Sequence, residues 1–120
     1  MTAEELRRER RKQLRLEKLG TNHPRCGICG DDRWQCIEAH HVAGQKHDGA
    51  TALLCRNCHR VASDAQRDHP DSAELTDPAL FAIGRFLLGL ADMLRLIVER
   101  LFAFGQELTA RAARSTECGA

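Results

Sequence analysis

The sequence has no tyrosine, one tryptophan and four phenylalanines, so aromatic residues make up 4% of the chain. That scarcity argues against an aromatic-rich core and against a sheet that reads nucleic acid by stacking bases on a row of rings. Net charge is scarce too. The 18 Lys and Arg against 17 Asp and Glu leave +1 at neutral pH, too little for a protein that binds anions through bulk charge alone. No uninterrupted apolar run is long enough to span a membrane: Arg85, Asp92, Arg95, Glu99 and Arg100 break up the most hydrophobic stretch, and a span needs about 20 mostly apolar residues. The first residues, Met1-Thr2-Ala3-Glu4-Glu5 followed by arginines, lack the apolar stretch and small-residue cleavage site of an export leader. The expected location is therefore the cytoplasm, where thiols stay reduced and free for metal.

What is present is unevenly placed. A chain of 120 residues with 42% hydrophobic content is one domain, or a small domain with appended helices. Residues 1–20 carry seven Lys and Arg against four Glu, residues 21–70 carry six of each sign, and residues 71–120 carry five against seven. The first segment reads as an exposed basic helix: Thr2 and Glu5 fit a capping box, and Gly20 with Pro24 supplies the stop. The second segment, residues 21–70, holds five of the six cysteines and all six histidines. Two short apolar runs, 35–42 and 50–54, predict a hairpin across loop 43–49. It has too little apolar side chain for a core without a metal.

In the third segment Asp77-Pro78 predicts a helix start. From there an amphipathic pattern puts Arg85, Asp92, Arg95, Glu99 and Gln106 on one face. The other face, about half the circumference, carries Leu, Ile, Val and Phe. Two expectations follow for residues 80–108: folding back on the N-terminal helix, or pairing with a second copy or a partner protein.

Cys26-Gly27-Ile28-Cys29 and Cys55-Arg56-Asn57-Cys58 are two C-x-x-C pairs with 25 residues between them. Each pair brings two thiolates onto one turn, and two such turns complete the closed four-sulfur set of structural Zn²⁺. Cys36 reads as a small core residue, and Cys118 lies in a polar tail expected to fray. Cys55–His59 also spells the C-x-x-C-H string of covalent haem attachment, but that chemistry needs export and leaves Cys26 and Cys29 without a role. His40-His41 precede the loop and His59 follows Cys58. Neighbours on a strand point to opposite faces, so one of the pair can join His59 on a cation while the other stays free to take a proton from water near neutral pH.

Residues 26–59 resemble the HNH endonucleases, in their zinc-stabilised four-cysteine subgroup. The resemblance rests on Cys26-x-x-Cys29, Ile37-Glu38-Ala39-His40-His41-Val42 and Leu53-Leu54-Cys55-Arg56-Asn57-Cys58-His59. It covers residues 25–69, implies a zinc-stapled ββα-metal module there and leaves both flanks unassigned; with the N-terminal helix and the long amphipathic C-terminal helix read above, the expected fold class is α+β. It implies that His40 and His59 ligate a catalytic divalent cation, Mg²⁺ or Mn²⁺, and that His41 is the general base. Cys26, Cys29, Cys55 and Cys58 would hold the structural zinc. The implied activity is hydrolysis of nucleic-acid phosphodiesters, DNA being the favoured substrate, with Arg56, Arg60 and Arg67 contacting phosphates. The chain departs from the family pattern at Ala50, where an Asn ties the hairpin loop; Asp48 or Thr51 is the expected substitute. A second helix ligand would fall on Ser63, a poor donor, with Asp64 and His69 nearby. The competing expectation is a non-catalytic zinc-binding module of the same fold, acting through its C-terminal helix.

Overall fold

The computed structural model describes residues 1–47, 49–71 and 75–119, with side chains as far as residue 114. Asp48, and Cys118 with the tail expected to fray, lie outside the described residues or side chains. Helix α1, Ala3–Leu19, starts as its sequence predicts. The Thr2 hydroxyl accepts from the Glu5 N–H at 3.1 Å, and the Glu5 carboxylate accepts from the Thr2 N–H at 2.7 Å. Gly20 closes it in the left-handed conformation at φ +78°, its N–H donating to the Leu16 and Glu17 carbonyls. The helix packs against a single 3-10 turn, Trp34–Cys36. Leu16 is buried on that side, and Arg15 donates to the Ile37 carbonyl at 2.5 Å.

The hairpin forms from β1, Ile37–His41, and β2, Thr51–Cys55, antiparallel and in the register Ile37 to Cys55, His40 to Ala52 and His41 to Thr51. Helix α2, Arg56–Gln66, follows β2 without a break. Ile37 and Leu54 are fully buried and form the centre of a small core with Cys26, Val42, Cys55, Cys58, Ala62 and Met93. Three of these eight are sulfur ligand candidates rather than large hydrocarbons, and apolar burial alone is correspondingly thin.

Helix α3, Pro78–Gly119, begins at the predicted place, with the Asp77 carboxylate accepting from the Leu80 N–H at 3.0 Å. Its orientation differs from the expectation. Arg85 and Asp92, assigned by periodicity to the solvent side, are 8% and 7% exposed, while Leu80, Ile83, Leu87, Leu94, Leu101, Phe102 and Phe104 are each more than half exposed. The physical reason lies in backbone acceptors that the helix must satisfy. Arg85 donates from Nε to the Ala43 carbonyl and from Nη1 to the Pro70 carbonyl, both at 3.1 Å, and Asp92 pairs with His69 at 2.5 Å. Helix α3 therefore packs on α2 rather than folding back on α1. Gly89 permits the close approach: a Cβ there would lie 1.6 Å from the Val42 carbonyl oxygen. Among the described residues, no helix is long and apolar enough to cross a membrane.

Candidate functional site

Two tight turns bring the sulfur atoms together. The first, 26–30, is closed by the Gly30 N–H donating to the Cys26 carbonyl at 3.0 Å, and the Gly27 N–H ties it to the Leu53 carbonyl on β2 at 2.9 Å. The second is the start of α2, where Cys55 is the N-cap. The ligand atoms of Cys26, Cys29, Cys55 and Cys58 all lie within 4.8 Å of one another, and Cys29 Sγ is 3.6 Å from Cys55 Sγ. Four thiolates at about 2.3 Å from one zinc lie about 3.8 Å from each other in a tetrahedron, so the cluster is compatible with a structural zinc ion.

The thiols already differ electrostatically. Burial works to raise Cys26, but N–H groups of Cys29, Cys55 and Ile28 directed at its sulfur outweigh it, lowering the pKa to about 7. Burial raises Cys29 and, more strongly, Cys58, and the neighbouring sulfurs add to both. A cation among them favours the thiolate form of all four.

His40 and His41 come from β1 and His59 from the first turn of α2. His40 is 1% exposed, and its ring meets that of His59 edge to face with centroids 5.2 Å apart. Burial, then the nearby His59 and His41, lowers the His40 pKa to about 4 against the opposing pull of Asp92. His40 is therefore neutral at physiological pH, with a lone pair available to a metal. His59 Nδ1 is 2.7 Å from Glu38 Oε2. A carboxylate on one ring nitrogen fixes the tautomer that leaves the other nitrogen as a ligand, the usual support of a metal-binding histidine. Among the described residues, no third His, Cys, Asp or Glu joins His40 and His59 in a group as tight as the cysteine cluster.

The His41 ring is half-exposed and hydrogen-bonds to no described residue. Its carbonyl is held from α2: the Gln66 amide donates to the His41 and Val42 carbonyls at 2.7 and 2.9 Å, with its nitrogen 3.3 Å from His40 Nε2. Gln66 thus ties the strand end to the helix. Ala50 contributes its carbonyl to the Val42 N–H at 3.1 Å. Thr51 is exposed and pairs with His41 in the ladder, and Asp48 is outside the described residues.

A groove of about 880 Å³ runs along α2, walled by Glu38, Asn57, His59, Ser63 and Asp64 and by four arginines, Arg33, Arg56, Arg60 and Arg67. The three arginines named from the sequence stand together here. Arg56 is 3.5 Å from Glu38 and Arg67 is 4.0 Å from Asp64. His40 and His41 are not in this wall. Cys36 is, so it is half-buried at the groove and not a core residue. His69 turns away to Asp92.

Sequence reasoning missed Arg33, Gln66 and Asp92, and gave Glu38 no role. Glu38 carried a usable signal: two residues from His40 on a strand, it shares that face. Arg33 is paired to Asp31 through Nε at 3.1 Å and Nη2 at 2.6 Å, which holds the Asp31 carboxyl at about 2.

The fold and site define an α+β chain whose two-stranded hairpin and following helix are joined by four cysteines able to bind a metal. None of the family models, curated proteins or solved structures compared with the chain matches it.

Proposed function

We propose that the chain is a metal-dependent endonuclease of the HNH type, hydrolysing phosphodiester bonds in nucleic acid, DNA foremost, in the cytoplasm. The observation that carries this reading is the meeting of His40 and His59, rings 5.2 Å apart, beside an arginine-walled groove and behind a four-sulfur staple. In this reading His40 and His59 hold a divalent cation, Mg²⁺ or Mn²⁺. Such a cation supplies charge stabilisation to the scissile phosphate and the leaving 3′-oxygen. Glu38 orients the His59 ring through Nδ1. His41 takes the proton from the attacking water, and Gln66 fixes the strand end that aims it. Arg56, Arg60 and Arg67, joined by Arg33, contact flanking phosphates, so binding follows charge more than sequence and weakens with salt.

The test is nicking of supercoiled plasmid by the zinc-loaded chain with added Mg²⁺ or Mn²⁺. His41→Ala is expected to lower the rate at least ~100-fold, the size of a lost general base, with zinc content and circular dichroism unchanged. Nicking that survives His41→Ala refutes the assigned base, and no nicking with any divalent cation refutes the enzyme.

The uncovered apolar face of α3 favours a second reading, a zinc-binding interaction module that acts through this helix alone. It requires that cleavage be absent and that light scattering detect association lost when Leu101 and Phe102 are changed to Glu.

A further inference from the structure

Just ahead of the 3-10 turn that Trp34 opens, Arg33 is extended at φ −73°, ψ 106°. Along residues 31–34 the side chains alternate between two cavities. Asp31 and Arg33 face the arginine groove; Asp32 and Trp34 face a second cleft of about 350 Å³ between α1 and the loop that leads into the zinc staple. One thickness of chain separates the two.

The second cleft is lined by Lys12 and Leu16 from α1 and by Asn22, His23, Pro24, Arg25, Asp32 and Trp34. Arg25 lies between the buried Pro24 and Cys26, and the Cys26 N–H is fixed to the Asp31 carbonyl at 2.8 Å, so its backbone is anchored at the metal centre. The side chains of Lys12, His23 and Arg25 hydrogen-bond or ion-pair with no described residue, and Asp32 is the sole carboxylate among the described residues of the wall. Two unpaired cations and an indole around a volume of this size match one nucleotide: a phosphate between Lys12 and Arg25, and an unstacked base against the ring. The groove walled by Arg33 lies directly across the partition.

We propose that this cleft is a nucleotide subsite for single-stranded nucleic acid, taking a phosphate on Lys12 and Arg25 and a base on Trp34, next to the groove assigned to the scissile strand. The proposal rests on the nuclease reading for its substrate class but not for its test. A strand spanning both cavities passes over residues 31–34, and its unpaired stretch lies outside the cutting groove. That makes single-stranded or frayed nucleic acid the preferred substrate over fully paired duplex. It also gives α1 a function beyond its bulk charge: Lys12, one turn before the buried Leu16, forms one wall of a site.

Trp34 is the sole tryptophan and there is no tyrosine, so its emission reports on this cleft alone. The probe is an oligothymidylate of about eight nucleotides, within the ~4–16 that single-strand binding folds cover. It is titrated into the zinc-loaded full chain without Mg²⁺ or Mn²⁺, so that nothing is cut. A saturable change in Trp34 emission is expected. Lys12→Ala with Arg25→Ala should raise the midpoint about tenfold or more and reduce the salt slope by about 0.7, the value for one phosphate on a single strand. By anisotropy of a labelled oligonucleotide, Trp34→Ala should weaken binding about tenfold, and Trp34→Phe should restore most of it, since stacking needs only a ring. The proposal is overturned if the oligonucleotide fails to bind, or binds with no change at Trp34. A double variant that binds like the parent also overturns it, as does a glutamate peptide of equal length giving the same emission change. Failure of the nuclease reading shows separately, as absence of plasmid nicking, and leaves the Trp34 titration interpretable.

Discussion

Replacing Gly89 by alanine tests how α3 is seated and whether that seat supports the site. The new Cβ would lie 1.6 Å from the Val42 oxygen and 2.7 Å from its carbonyl carbon. Both are backbone atoms of the residue after His41, so no side chain can swing aside. Either α3 or the strand end must move on the order of 1.5 Å to restore van der Waals separation. A shift of that size away from the module stretches Arg85 from the Ala43 and Pro70 carbonyls, now at 3.1 Å each, beyond hydrogen-bonding range. Each hydrogen bond to a charged group contributes about 1.5–3 kcal/mol, and overpacking costs typically about 1–3 kcal/mol. The gain in helix propensity offsets about 1 kcal/mol. The expected net loss is about 3–8 kcal/mol, or roughly 10 °C or more in the melting temperature of a chain this size. Gly84 and Gly105 provide the controls, since a Cβ at either meets nothing within 4 Å; alanine there should stabilise by up to about 1 kcal/mol. The assay is thermal unfolding of the zinc-loaded proteins by circular dichroism, with plasmid nicking measured at a temperature where all remain folded. Because Val42 adjoins His41, Gly89→Ala should also slow nicking. Equal melting temperatures for the Gly89→Ala and Gly84→Ala proteins would refute the close approach and the seat built on it.

Two further outcomes follow from the four-cysteine cluster and the buried histidine. Removing zinc with a chelator should abolish the cooperative unfolding transition of the hairpin and α2 while α1 and the distal part of α3 keep helical signal; metal analysis should find one zinc per chain, and an unchanged transition after chelation would refute the staple. His40 sits below the ordinary histidine value, at about 4 in the folded chain, so the unfolded chain binds the extra proton between about pH 6.5 and 4. Stability is thus full above about pH 6.5 and falls by up to about 3 kcal/mol as pH drops towards 4; zinc-loaded protein without other divalent cations should lose denaturant resistance over that window. A His40→Gln protein should show a flatter profile.

Local signals in the sequence carried far. The capping box of Thr2 and Glu5, the left-handed Gly20, the Asp77-Pro78 start and the hairpin around loop 43–49 are each written in a few adjacent residues, and each is present in the fold. The gathering of four cysteines was legible because ligand spacing carries its own geometry. The orientation of α3 was not. A helical wheel ranks Arg85 and Asp92 as solvent-facing because it cannot see the Ala43 and Pro70 carbonyls or His69, which come from segments distant in sequence. The same limit hid Gln66, whose amide acquires meaning only when α2 lies across the end of β1. Arg33 went unnoticed because alternation in an irregular segment becomes visible only once the two clefts on either side are known.

Cys55 holds two posts at once. Its sulfur accepts the Cys58 N–H at 3.5 Å as the cap of α2, and it is one of the four candidate zinc donors. A thiolate fixed there places negative charge at the positive end of the helix dipole, whereas a neutral thiol caps poorly. His59 stands in the turn that this cap secures. With zinc bound there as proposed, its scarcity in the surrounding medium would slacken the imidazole facing Glu38 without altering His59 itself, and availability of one nutrient metal would set how much fully ordered protein a given amount of chain provides.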